Sequence, residues 1–146
     1  MRTPIRRLDG ITYWVIEDAD AIYDFINEEI RKEWEEDARS EHRDSRDDHW
    51  LKMLSKRKWS LEAIELERIK LNPAIMNYAD KESGYVFLES LAQRQQELQK
   101  AIEDSSAVIW PLIVREEDTQ LVDGYCRYAT LKAMNVSRVY VYVGAL

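Results

Sequence analysis

Gln120-Leu121-Val122-Asp123-Gly124-Tyr125-Cys126-Arg127-Tyr128-Ala129-Thr130-Leu131-Lys132-Ala133-Met134 is the stretch that sets the fold of this chain. Gln120-Leu121-Val122 has the composition of a short strand, Asp123-Gly124 is a turn pair, and a helix is expected from about Tyr125 to Met134. Gly124 stands where the chain leaves a strand sharply, and its missing side chain lets a bound group approach the backbone. The amides of Tyr125, Cys126 and Arg127 then fall in the first helical turn, which has no internal acceptors and carries the positive end of the helix dipole. Arg127 adds a guanidinium suited to gripping phosphate oxygens with two donors. A bland alternative stands beside this one: Asp123-Gly124 as a plain turn and Arg127 as a surface residue.

Outward from this stretch, Glu116-Glu117-Asp118 forms a polar turn, preceded by Val108-Ile109-Trp110-Pro111-Leu112-Ile113-Val114. That run has buried-strand composition, with Pro111 requiring an edge or bulged position. Arg138-Val139-Tyr140-Val141-Tyr142-Val143 reads as a closing strand. Upstream, Leu88, Leu91, Leu98 and Ile102 mark a helix over 86–102, and Ala63-Ile64-Glu65-Leu66-Glu67-Arg68-Ile69 alternates as a strand that stops at Asn72-Pro73. Nearer the start, Ile11 to Ile16 follows the turn pair Asp9-Gly10 and suggests a first strand. Asp18 or Asp20 then caps a helix whose Ile22, Ile26, Ile30 and Trp34 line one face. The organisational boundary falls near residue 58, giving a strand plus charged helical extension over 1–58 and a mixed α+β domain over 59–146.

The segments Trp110-Pro111-Leu112-Ile113-Val114-Arg115, Gln120 to Met134 and Val139-Tyr140-Val141-Tyr142-Val143 together resemble the core of the ParB N-terminal and sulfiredoxin superfamily. The strand Ile64 to Ile69 ending at Asn72-Pro73 and the helix around Glu89-Ser90-Leu91-Ala92 resemble the family's first strand and preceding helix. The resemblance spans residues 59–146; residues 1–58 match no pattern. It implies a small mixed sheet with packed helices, and nucleotide phosphates held at a Gly-x-x-Arg turn, as with CTP in ParB proteins and ATP in sulfiredoxin and the free serine kinases. Carried over, it places Asp123, Gly124, Tyr125, Cys126 and Arg127 at the phosphate of ATP or CTP, with Mg²⁺ accompanying the nucleotide.

Three departures qualify what is carried over. Cys126 stands where ParB proteins have a basic residue, and no helix-turn-helix segment follows before Leu146. Sulfiredoxins place their cysteine directly after the glycine, whereas Tyr125 follows Gly124 here; one residue is about 100° of helix. The serine kinases combine the turn with an early carboxylate as base, a role for which Glu67, or Glu65, is the candidate. Beside Arg127 as the neutraliser of developing charge, that implies phosphoryl transfer or phosphate-ester hydrolysis. The competing class is a non-catalytic module that keeps the fold and binds a partner protein or DNA.

Composition narrows the partners. A net charge of -7 over 146 residues disfavours DNA binding, which needs clustered Lys and Arg. No run of about 18 apolar residues offers a membrane span, and a single cysteine excludes an intrachain disulfide, so a soluble cytoplasmic protein is expected. Cys126 could be a reactive thiol or a small buried hydrophobe, the latter favoured. His42 and His49 sit among acids and read as a solvated face and not a metal site, so no metal ligands are assigned. Lys52, Lys56, Arg57 and Lys58 form the one basic cluster, read as a helix C-terminus ahead of a phosphate-binding patch. The Ile22 to Trp34 face is expected to pack on the core, with a homodimer through this helix as an addition.

Overall fold

The computed structural model describes residues 4–39 and 56–146. Its centre is a four-stranded sheet in the order β3-β8-β6-β7, formed by β3 (Lys58–Glu65), β6 (Leu112–Arg115), β7 (Leu121–Asp123) and β8 (Arg138–Ala145). β3 and β8 run antiparallel in unbroken register from Lys58↔Ala145 to Glu65↔Arg138. β8 and β6 are parallel, with Ile113 opposite Tyr142, and β6 turns back antiparallel into β7, with Ile113 opposite Asp123. The mixed α+β architecture expected from the sequence is therefore the one observed.

The strand period of two sorts the sheet's side chains into two cores. Leu112, Val114, Leu121, Val139, Val141 and Val143 are buried with Leu91 and Leu131, which come from α3 (Phe87–Ser105) and α4 (Tyr125–Ala133). Their neighbours in sequence, Ile113 and Tyr142, are buried instead with Ile22 and Ile26 of α1 (Ala19–Arg39). One helix thus covers one face and two cover the other. Ile22 and Ile26 are both 0% exposed, and burying each contributes on the order of 1.5–3 kcal/mol to holding α1 in place.

The N-terminal hairpin, β1 (Ile5–Leu8) and β2 (Ile11–Trp14), closes through Asp9 and Gly10, both at positive φ. β1 escapes the sequence pattern because Ile5, Arg6 and Arg7 are all exposed and show no alternation. β2 carries the apolar side chains: Ile11 and Tyr13, with Val15 just beyond, belong to the main core. Residues on both sides of the boundary drawn near 58 therefore share one interior. Asp18 is the cap of α1, its carboxylate accepting from the Ala21 amide at 2.9 Å. The side chains of Ile30 and Trp34, and the readings placed on His42, His49 and Lys52, lie outside the described residues.

Three elements differ from expectation. The strand read over 63–69 begins earlier, at Lys58, and ends at Glu65, where a 3₁₀ turn (Leu66–Arg68) takes over. Leu66 and Ile69 are both buried, and their spacing of three puts them on one side of a 3₁₀ turn, whereas in a strand they would face opposite ways. β6 begins only after Pro111, since proline offers no amide to the ladder. Between Asn72 and α3 lie a short helix, α2 (Pro73–Met76), and a small ladder of β4 (Ala79–Asp80) with β5 (Tyr85–Val86). No helix among the described residues is long and apolar enough to cross a membrane.

Candidate functional site

Asp123 ends β7, and Gly124 carries the chain into α4 with φ 104° and ψ 30°. No side chain caps this helix start, so the amides of its first turn have no partner from a cap. A Cβ at Gly124 would lie 2.8 Å from Arg127 Nη2 and 2.9 Å from Leu112 Cδ2. Glycine is thus required twice, by the left-handed backbone and by the two side chains folded over it.

Arg127 does not reach into solvent. Its Nη1 donates to the carbonyls of Trp110 at 3.1 Å and Pro111 at 3.0 Å, which ties the first turn of α4 to the entry of β6. Its Nη2 stands 3.6 Å from Asp123 Oδ2, close enough for electrostatic attraction but too far for a good hydrogen bond. The guanidinium is consequently fixed by two neutral carbonyls, with its Nη2 and Nε edge turned toward Gly124. Both side chains keep some access to solvent, 20% for Arg127 and 26% for Asp123.

Tyr125 points the other way. Its ring is buried edge-on to Phe87, and its hydroxyl donates to the Leu121 carbonyl while accepting from the Asn72 amide, both at 3.1 Å. Burial pushes this phenol's pKa above its ordinary value. Tyr125 can offer a ligand only its amide, because its side chain is a strut pinning the Asn72 segment against β7. Cys126 is half-buried against the main core, and its carbonyl accepts from Thr130 Oγ1 at 2.7 Å.

The structure gathers Asp123, Gly124, Tyr125, Cys126 and Arg127 at one turn and sets Glu67 elsewhere. Asp123 is level with Ile113, Tyr142 and Leu61 across the sheet, which puts Leu61 three strand spacings away, roughly 14 Å along the sheet. Glu65 lies four residues beyond Leu61 on that opposite edge strand. Glu67 follows, exposed, in the 3₁₀ turn, where the Leu66 amide donates to the Ser137 carbonyl. Ser137 comes after the C-terminal end of α4, whereas the Gly124 turn is at its N-terminal end.

Arg57, read as one of a basic cluster, is an internal brace. Its side chain is 4% exposed, donating to both Glu117 oxygens at 2.6 and 2.7 Å and to the Gly144 carbonyl at 2.9 Å. Those bonds hold the Glu117 carboxyl down at about 2. A groove of about 330 Å³ that the sequence reading did not anticipate runs along the flank of α4, lined by Leu71, Met76, Leu91, Tyr128, Ala129 and Lys132 among others. A spacing of three to four from Tyr125 through Tyr128 and Ala129 to Lys132 is the only signal for it. It shares Tyr125 with the turn but none of Asp123, Gly124, Cys126 or Arg127. Among the described residues no cluster of His, Cys, Asp and Glu could hold a metal ion.

No protein family and no curated protein matches the chain. Among solved structures it is similar to the pNOB8-like ParB N domain in its C222₁ form, at 18% identity over 63% of this chain and 31% of that one, with a TM-score of 0.45. It is also similar to the C-terminally truncated chromosome-partitioning protein ParB from Caulobacter crescentus, a structure complexed with CTP-gamma-S, at 22% identity and a TM-score of 0.41. That match covers 60% of this chain and 45% of that one, so the chain spans less than half of either protein. The likeness to ParB N domains is one of fold alone.

Proposed function

We propose that the Asp123–Arg127 turn binds the phosphate of a nucleotide. The observation that carries this reading is the start of α4: a left-handed Gly124 with no side-chain cap, so that the first-turn amides await an acceptor from outside, beneath an arginine already held in place. An anion there gains backbone hydrogen bonds, the helix dipole and the Nη2 and Nε edge of Arg127 together. Because Arg127 is anchored before any ligand arrives, little side-chain entropy is lost on binding.

ATP or CTP is the finer form of the proposal, with Mg²⁺ arriving on the phosphates; the resemblance to nucleotide-binding ParB and sulfiredoxin proteins supports it. Asp123 bears on this directly. Its carboxylate stands beside Arg127 and repels a bare polyphosphate, so binding strengthens when a divalent cation offsets that charge. Binding, and not phosphoryl transfer, is the reading that the geometry favours, since Glu67 lies past the opposite end of α4 from Gly124.

Calorimetric titration with ATP, ADP and CTP, with and without Mg²⁺, tests it. Cys126→Asp places a carboxylate in the first turn of α4 as an internal competitor for the same amides, while favouring the helix itself. Binding is expected to the wild type and to drop about tenfold or more in this variant, with thermal unfolding confirming that the variant is folded. No nucleotide bound by the wild type, or equal affinity in Cys126→Asp, overturns the proposal.

A further inference from the structure

The two carbonyls that hold Arg127 belong to a corner of chain that the N-terminal layer secures. β2 grips it through the backbone: the Trp14 amide donates to the Ile109 carbonyl at 2.9 Å, and the Ile109 amide donates to the Thr12 carbonyl at 3.0 Å. α1 grips it through a side chain, with Phe25 stacked on Trp110 at a ring separation of 4.1 Å and an interplanar angle of 29°. The Trp14 ring, 6.3 Å from that of Trp110, fills in beside them. Phe25 is itself packed against the core cluster of Ile22, Ile26, Trp59, Ile113 and Tyr142. The next carbonyls in the chain, those of Trp110 and Pro111, are the acceptors of Arg127 Nη1.

Two carbonyls accepting from one nitrogen fix both the position and the plane of a guanidinium. Whatever fixes the carbonyls therefore aims the opposite edge of the arginine, the edge turned toward Gly124. We propose that the N-terminal hairpin and α1 are a positioning device for Arg127, acting through the Ile109-Trp110-Pro111 corner, with Phe25 as its principal positioning residue. The coupling stands on these contacts; only its use for a ligand rests on the phosphate-binding reading. By linkage, a ligand that grips Arg127 tightens the packing of α1, and loosening α1 weakens the ligand by the same factor.

The test follows the exchange with water of the Arg127 guanidinium protons, read by nitrogen-resolved NMR of the arginine side chains and assigned by their disappearance in Arg127→Lys. Phe25→Leu removes the ring stack but keeps apolar bulk, and Phe25→Met serves the same purpose if the leucine variant does not fold. Ile26→Val loosens the same helix without touching Trp110, and so reports what a general loss of stability does. Exchange is expected to quicken about tenfold in Phe25→Leu, the equivalent of one good hydrogen bond, to stay within about twofold of wild type in Ile26→Val, and to return to the wild-type rate in Phe25→Tyr. Equal exchange in Phe25→Leu and Ile26→Val, or no recovery in Phe25→Tyr, overturns the coupling. Titrating the same variants with ATP and CTP separates the two proposals. A wild type that binds neither nucleotide sinks the phosphate reading and leaves the exchange result standing, whereas nucleotide binding with unchanged exchange in Phe25→Leu sinks the coupling alone.

Discussion

Arg57 and Arg127 are built alike and left in different electrical states. Each folds over a glycine that could not be anything larger: a Cβ at Gly144 would lie 2.7 Å from the Trp59 ring and 3.0 Å from Arg57 Cδ, and one at Gly124 would lie 2.8 Å from Arg127 Nη2. Each donates to main-chain carbonyls and thereby fastens two distant segments. Arg57, however, also has both oxygens of Glu117, so its charge is answered from within the fold. Arg127 has two neutral carbonyls, with Asp123 3.6 Å away. One arginine is a closed structural pair; the other has its nearest carboxylate at 3.6 Å, and on the phosphate-binding proposal it is the one that meets an anion.

The largest effect should come from the glycines. Gly124→Ala must bear a left-handed backbone, about 1–2 kcal/mol, and the displacement of Leu112 and Arg127, so a loss of about 3 kcal/mol in urea unfolding is expected. Gly144→Ala has no left-handed backbone to bear, only the contacts with Trp59 and Arg57 Cδ to relieve, and should cost about 2 kcal/mol. Equal costs would mean that the backbone conformation at Gly124 is not what demands glycine there.

Next come the arginines themselves. Arg57→Met leaves the Gly144 carbonyl without its donor and Glu117 without its partner, and should cost about 2 kcal/mol, discounted because Glu117 is 40% exposed. Arg127→Met gives up hydrogen bonds to two carbonyls at a partly buried site, about 1 kcal/mol. Only the second should abolish anion binding. If both variants bind nucleotide equally, the contrast between a closed and an open arginine is wrong.

Much of the open site was legible because it is local. The strand period up to Val122, the Asp-Gly pair and the helical period after Tyr125 occupy consecutive residues, and nothing from elsewhere overrides them. What lay hidden depends on residues far apart in the chain. Arg57 looked like the end of a basic helix because Lys56-Arg57-Lys58 contains no sign of Glu117, 60 positions away. The inward turn of Tyr125 depends on Asn72, and the anchoring of Arg127 depends on a corner 16 and 17 residues upstream. The exposed β1 lacked the alternation that identifies a strand, and the alternation through Ile64 and Leu66 hid the 3₁₀ turn that begins at Leu66.

The smallest predicted effect is in the pH dependence, and it tests the closed arginine without any ligand. Arg57 and Arg115 hold the Glu117 and Asp118 carboxyls at about 2, chiefly through direct hydrogen bonds, well below their ordinary values near 4. A carboxyl whose folded pKa lies below its unfolded one stabilises the fold above the unfolded value, and that stability fades as pH falls toward the folded value. Unfolding midpoints should therefore decline between about pH 5 and pH 2, and Glu117→Gln should flatten the part of that decline owed to Arg57. Arg57→Met, which removes the same hydrogen bonds from the other side, should flatten the same part of the slope. An acid slope unchanged by either substitution would mean that the Arg57–Glu117 pair is open in solution, and would remove the contrast between a closed arginine and Arg127.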